Sequence, residues 1–288
     1  MIPLAIAVPA DLAELQAAIV SWRTPVRYLA GGTDMLIAGR ALPEAGLLVD
    51  ITRVADMALI STDGSDICIG AATTVAALAS HSGLRARLPA LCEAAAQCGS
   101  VQIRNRATIG GNIANAAPAA DLMPVLTVVG ARLRLIGQDG TQSEIPLGDY
   151  SPAHGLITDV TMQAGGLLQR SAFVKLGPRQ DLAISRLNLA LAAEFHDGCF
   201  GAVRIAAGAL SPAPLILSFA AAALSGHKLE VAVLRNFLSA LTAEVDAAIP
   251  GRNSQLYKRR AIAGVGLDLI AQALGLSPRD RLFEEAVE

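Results

Sequence analysis

Fourteen consecutive residues without a charge, ATIGGNIANAAPAA at 107–120, separate Arg106 from Asp121. A segment this rich in Gly, Asn, Ala and Pro has neither the period of an ordinary amphipathic helix nor the alternation of a half-buried strand. Gly110 and Gly111 leave the backbone bare, and Asn112 and Asn115 place amide donors and acceptors beside it. The pattern suits a loop that a ligand approaches closely.

The same device occurs earlier, in LAGGTDMLIAGR at 29–40. Upstream, Leu12, Leu15, Ile19 and Trp22 recur at steps of three and four, which predicts a helix over 11–22 with Asp11 as its N-cap. A strand is expected at Val26–Ala30, a helical turn at Asp34–Gly39, and a second strand at Leu47–Ile51. Gly31 and Gly32 then lie at a strand-to-helix junction, where bare amides can form an anion site. Taken alone, a Gly-Gly junction is as readily a plain turn. It is neither a G-x-G-x-x-G fingerprint nor a Walker A loop. Two such loops can close over one extended anionic ligand.

Composition narrows the function classes. The chain has 288 residues, with 23 basic and 25 acidic side chains and a net charge of -2, so no basic excess points to nucleic acid. The uncharged stretch 209–226 contains Pro212 and Pro214, and its apolar part is too short to span a bilayer. It reads as a buried helix preceded by a turn. The N-terminus has no basic region of the kind that opens an export signal, so a cytoplasmic protein is expected. Cys68, Cys92, Cys98 and Cys199 form no C-x-x-C pair, and no iron–sulfur or zinc site is expected in this chain. His81, His154, His196 and His227 are scattered and read as surface or capping residues.

Nearly the whole chain resembles a known family. The matching stretches are LAGGTDML at 29–36, ICIGAATTVAAL at 67–78, QIRNRATIGGNIANAAPAADLMPVL at 102–126, FVKLGPRQDLAIS at 173–185 and NSQLYKRRAI at 253–262. They resemble the flavin-binding medium subunits of molybdenum-containing hydroxylases, including the corresponding portion of xanthine dehydrogenase and carbon monoxide dehydrogenase. The resemblance implies that this chain binds FAD. It implies that Leu29, Ala30, Gly31, Gly32, Thr33, Asp34, Met35 and Leu36 wrap the pyrophosphate from one side. Thr108, Gly110, Gly111, Asn112 and Ala117 hold the pyrophosphate and ribityl portion from the other. By the same likeness Asp121 binds FAD, Ile157 packs on the isoalloxazine, Lys175 lies near the flavin ring, and Cys98 falls beside the adenine. The family usually carries a longer loop than SPAHG at 151–155. Without the resemblance, Asp121 reads as the N-cap of a helix over 122–129 and Lys175 as a surface lysine.

The expected fold is α+β. An FAD-binding domain over 1–170 divides into a small βαβ-like unit at 1–51 and a mixed sheet with helices at 52–170. It contains a helix capped by Thr73 or Thr74, another opened by Pro89, and a hairpin from 131–137 to 141–147. A C-terminal domain over 171–288 is expected as a three-stranded antiparallel sheet backed by helices, with HDG at 196–198 making its first hairpin turn. RRA at 259–261 reads as a solvated helix face.

The leading functional expectation is an electron-transfer subunit of a multi-subunit enzyme. A large partner would hold the molybdenum cofactor and a small partner the [2Fe-2S] clusters, in a dimer of heterotrimers. The alternatives are a scaffold of the same fold that has lost flavin or binds a nucleotide structurally, and an independent flavin oxidase.

Overall fold

The computed structural model describes residues 4–22, 26–37, 45–163, 169–179 and 182–287. In chain order the first elements are β1 (Leu4–Ala7), α1 (Leu12–Ser21), β2 (Val26–Leu29), β3 (Gly46–Asp50), β4 (Ile60–Ser61) and β5 (Asp66–Gly70). Six short helices follow: α2 (Val75–Ser80), α3 (Ser82–Arg87), α4 (Pro89–Ala96), α5 (Val101–Arg104), α6 (Ile109–Asn115) and α7 (Leu122–Val128). Next come β6 (Arg132–Ile136), β7 (Gln142–Pro146), β8 (Leu156–Gln163), β9 (Arg170–Leu176), β10 (Leu187–His196), β11 (Cys199–Gly208) and β12 (Leu215–Ile216). The chain closes with α8 (Ser218–Leu224), α9 (Val231–Ala248), α10 (Gln255–Leu274) and α11 (Arg281–Val287). It folds as two compact units, one of residues 1–78, 100–116 and 130–163, the other of 79–99, 117–129 and 164–288.

The first unit opens as the expected small α/β layer. β1, β3 and β2 form a parallel sheet in that order, and Leu15 and Ile19 of α1 are buried. Asp11 caps α1 by accepting from the Glu14 N–H at 2.8 Å. The central strand β3 is apolar at successive positions and buried from Gly46 to Val49, as a parallel strand flanked on both sides must be. The second sheet of this unit has the order β4-β5-β8-β6-β7, antiparallel throughout. Its β6–β7 hairpin turns at Gly140, φ +83°, where the Gln16 side chain of α1 donates to the Gly140 carbonyl at 3.0 Å.

The second unit is built on the antiparallel sheet β12-β11-β10-β9. The three expected strands are present, with β12 added as a two-residue edge. β10 is buried from Leu187 to Ala193 because both of its faces are covered. Leu187, Leu189 and Leu191 pack into the core formed with Phe237, Leu241, Ile262 and Leu269 of α9 and α10. The β10–β11 turn places Asp197 and Gly198 at φ +52° and +78°, the geometry of a type I′ hairpin. Two of the scattered histidines act as caps: His81 Nδ1 accepts from the Leu84 N–H at 3.0 Å, and His154 closes a capping box with Ser151. Arg259 pairs with Asp246 at 2.8 Å on an exposed face. Among the described residues no helix is long and apolar enough to cross a membrane.

Candidate functional site

β2 ends where the Leu29 carbonyl accepts the Ile51 N–H at 2.9 Å, and the chain then turns away from the sheet. Gly32 adopts φ +73°, and the Leu36 N–H closes one turn on the Gly32 carbonyl at 2.9 Å. The expected turn is therefore present over Thr33–Leu36; its continuation to Gly39 lies outside the described residues. Gly31 is required for a different reason, since a Cβ there would stand 1.8 Å from the Arg106 carbonyl oxygen. The two glycine segments thus touch, backbone to backbone. The N–H groups of Gly31, Gly32 and Thr33 have no acceptor among the described residues. Consecutive unsatisfied amides on a bare turn make an anion-binding concavity.

The second segment differs from the sequence expectation. Residues 109–115 form a helix, α6, capped by the Thr108 hydroxyl accepting from the Gly111 N–H at 3.1 Å. Tertiary bonds hold this start in place: the Ile109 N–H donates to the Thr73 carbonyl at 3.0 Å and the Gly110 N–H to the Ala71 carbonyl at 2.9 Å. A Cβ on Gly110 would meet Ala71 Cβ at 2.7 Å and its carbonyl oxygen at 2.8 Å, so this glycine serves packing and its amide is already committed. Gly111 is exposed, and among the described residues the one atom near its missing side chain is Thr108 Oγ1 at 3.0 Å. Beside it, Asn112 Oδ1 is buried with no hydrogen-bond partner among the described residues. Amide donors therefore come from the first segment, while the second offers an open glycine and an unused amide carbonyl.

In the second unit, a buried polar cluster surrounds Asp121. The residue sits at the start of α7, yet its side chain makes no cap bond, so the capping reading is corrected. Asp121 Oδ1 accepts from the Ser185 hydroxyl at 2.6 Å and from Asn188 Nδ2 at 3.0 Å. Its Oδ2 pairs with Lys175 Nζ at 2.6 Å, and both side chains are 6% exposed. The same ammonium donates to the Gln97 carbonyl at 2.9 Å. Lys175 is thus no surface lysine, and its charge is cancelled locally. Strand register builds this arrangement: Asn188 of β10 lies opposite Lys175 of β9 and Gly208 of β11. Asn188 Oδ1 accepts the Gly208 N–H at 2.9 Å, where any side chain on Gly208 would strike it.

The residues singled out in the sequence therefore fall into two groups. Leu29, Ala30, Gly31, Gly32, Thr33, Asp34, Met35 and Leu36 share the first unit with Thr108, Gly110, Gly111 and Asn112, and Gly31 touches the backbone of Arg106 and Ala107 just before them. Asp121 and Lys175 meet in the second, where half-buried Cys98 directly follows Gln97 and Ala117 is exposed. Ile157 is buried in β8 opposite Leu135. Ser185 and Asn188 escaped the sequence reading; the available signal was an asparagine inside the apolar run LNLALAA. Tyr28, at the end of β2, is pushed up to about 12 by burial and by neighbouring Tyr150, and adds no charge beside the loop.

Adjacent amide donors with an unused carbonyl acceptor fit a ligand that carries both phosphate and hydroxyl groups, as a flavin dinucleotide does. Comparison with known proteins agrees. Residues 3–170 match the family described as the FAD binding domain in molybdopterin dehydrogenase, and residues 172–273 the CO dehydrogenase flavoprotein C-terminal domain. The chain belongs to this family of FAD-binding oxidoreductase subunits. It is 29% identical over 280 residues to the nicotinate dehydrogenase FAD-subunit of Eubacterium barkeri, covering 92% of this chain and 94% of that one. It is 28% identical over 260 residues to the xanthine dehydrogenase FAD-binding subunit of Escherichia coli O157:H7, covering 86% and 88%. Among solved structures, a chain of carbon monoxide dehydrogenase from Hydrogenophaga pseudoflava superimposes with a TM-score of 0.81 at 26% identity, covering 96% of this chain and 99% of that one.

Proposed function

We propose that this chain is the FAD-carrying electron-transfer subunit of a multi-subunit molybdenum hydroxylase. It works beside a large subunit with the molybdenum cofactor and a small subunit with [2Fe-2S] clusters, in a cytoplasmic dimer of heterotrimers. The observation that carries the reading is the run of amides at Gly31, Gly32 and Thr33 without an acceptor among the described residues, in the unit that also holds exposed Gly111 and the unpartnered Asn112 carbonyl.

In this reading the three amides and the Thr33 hydroxyl hold the pyrophosphate, and Leu29, Ala30, Asp34, Met35 and Leu36 shape the turn that presents them. Asn112 Oδ1 accepts from a ribityl or ribose hydroxyl, and Thr108 keeps α6 capped so that Gly111 stays open. Ala117, Asp121, Ile157, Lys175 and Cys98 complete the set carried by the resemblance. FAD, when bound, supplies the capacity to exchange electrons singly with iron–sulfur clusters and in pairs with an acceptor. A chain that had lost flavin would have no use for an intact amide run beside an unfilled glycine, which disfavours the scaffold alternative.

The test is Gly111→Val. A β-branched side chain there fills ligand space and disturbs only the Thr108 cap, at a cost of about 1 kcal/mol. Flavin released by acid and counted per chain should fall to near zero while far-UV circular dichroism is retained. Full occupancy in the variant would remove Gly111 from the site. Metal and sulfide analysis of the complex copurified from its native host, with mass identification of its subunits, tests the partners.

A further inference from the structure

The two glycine segments are poor in charge, which matters for a ligand whose pyrophosphate is a dianion. The amides of Gly31, Gly32 and Thr33 offer only partial positive charge, and Asp34 adds a full negative one next to them. The segment that forms α6 offers none, because residues 107–120 are uncharged. The last charge before that stretch is Arg106. Arg104, two residues earlier, already has a partner.

Arg106 lies against the first segment. Its carbonyl oxygen is 1.8 Å, and its carbonyl carbon 2.4 Å, from where a Cβ on Gly31 would stand. The Arg106 Cα, one bond further on, is therefore at most about 4 Å from that point. The backbone here is pinned on both sides. The N–H groups of Arg106 and Ala107 donate to the Ile103 carbonyl at 3.0 and 2.7 Å, and the Ala107 carbonyl accepts the Val75 N–H at 2.8 Å. The Arg106 side chain is exposed and forms no ion pair among the described residues. A cation without a carboxylate partner, mounted on a fixed backbone beside that amide run, keeps its charge for an incoming anion.

We propose that Arg106 is a further binding residue for the flavin dinucleotide, drawing in the pyrophosphate through its charge. The inference rests on the flavin reading above. At 0.01 M ionic strength the Debye length is about 30 Å, so the guanidinium acts on the pyrophosphate from any rotamer; at 1 M it is about 3 Å, and the attraction is screened out. For a dianion about 9 Å away in water-like surroundings, the low-salt attraction corresponds to about three- to fivefold in Kd.

The experiment uses the full chain stripped of FAD and refilled, with quenching of flavin fluorescence giving Kd for the parent, Arg106→Gln and Arg106→Lys at 0.01 M and 1 M sodium chloride. Arg106→Gln should weaken FAD about three- to fivefold at low salt and match the parent at high salt. Arg106→Lys keeps the charge and should bind as the parent does at both. A merely structural role would give a loss that salt does not remove and that lysine need not rescue. Parent-like binding by Arg106→Gln at low salt, a loss that persists at 1 M, or a loss that Arg106→Lys does not restore overturns the proposal. Each of these outcomes leaves the flavin reading standing, whereas a parent chain that takes up no FAD overturns both.

Discussion

Replacing Lys175 with methionine keeps the aliphatic stem and deletes a charge that lies 2.6 Å from Asp121 Oδ2, with both side chains 6% exposed. At that separation and an effective dielectric of 20, the Coulomb attraction is about 6 kcal/mol, an upper figure before desolvation is counted. The pair's net worth is much smaller, but breaking it from one side strands the remaining charge, typically at 3–5 kcal/mol. The two single variants should differ in a definite order. After Lys175→Met the Asp121 carboxylate keeps Ser185 and Asn188 as donors, so the loss should lie near 3 kcal/mol. After Asp121→Asn the ammonium keeps only the Gln97 carbonyl and an amide oxygen, so the loss should approach 5 kcal/mol. Removing both charges strands neither, and the double variant should lie within about 2 kcal/mol of the parent. Urea unfolding at neutral pH with unchanged m-values measures all three. Additive single losses, or a Lys175→Met loss below about 1 kcal/mol, would refute a buried, mutually dependent pair.

The glycines should separate by role. Gly31→Ala and Gly110→Ala force a Cβ onto backbone atoms of Arg106 and Ala71, and each should cost about 3 kcal/mol or abolish folding; Gly111→Ala should fold normally and lose flavin affinity. Glu244 of α9 accepts the Phe219 N–H at 2.9 Å and so caps α8, and Glu244→Ala should cost about 1–2 kcal/mol in thermal or urea unfolding. Burial raises the Glu244 carboxyl above its ordinary value near 4.5. The folded state therefore binds this proton more tightly than the unfolded state, and stability should fall as pH rises from about 4.5 through the folded value. Glu244→Gln should remove that slope from urea midpoints measured between pH 4 and 8. No disulfide joins any of the four cysteines, so thiol titration in denaturant should find four. In the native protein exposed Cys199 should react first and Cys92, buried with its thiol pKa raised by that burial, last.

What was legible in the sequence is what local chemistry decides. Asp11 and the Leu15–Ile19 spacing specify α1, successive apolar residues specify β3, and Asp197-Gly198 specifies the β10–β11 turn, each from neighbours in the chain. α6 was not legible because two of its seven residues are glycines, which disfavour a helix. Its start is held by carbonyls of Ala71 and Thr73, far away in sequence. The Gly-Gly pair reads in the sequence as one device, yet its two members differ in their surroundings, and only the tertiary contact of Gly110 with Ala71 tells them apart.

The Asp121 cluster makes the same point for charge. Lys175, Asn188 and Gly208 are aligned by pairing of three strands, a register that no local pattern encodes. A lysine in a strand reads as exposed because most are. This one is buried because α7 delivers a carboxylate to the same row, and Ser185 and Asn188 then fill that carboxylate's other oxygen. The cluster therefore carries no net charge, and its contribution to any neighbouring ligand is position and hydrogen bonding rather than field. A conservative Lys175→Arg exchange tests that distinction, because it keeps the charge but cannot reproduce one ammonium shared between Asp121 and the Gln97 carbonyl. If position matters, Lys175→Arg should lose flavin nearly as fully as Lys175→Met. If field alone matters, it should retain flavin, and the acid-released flavin count decides between them.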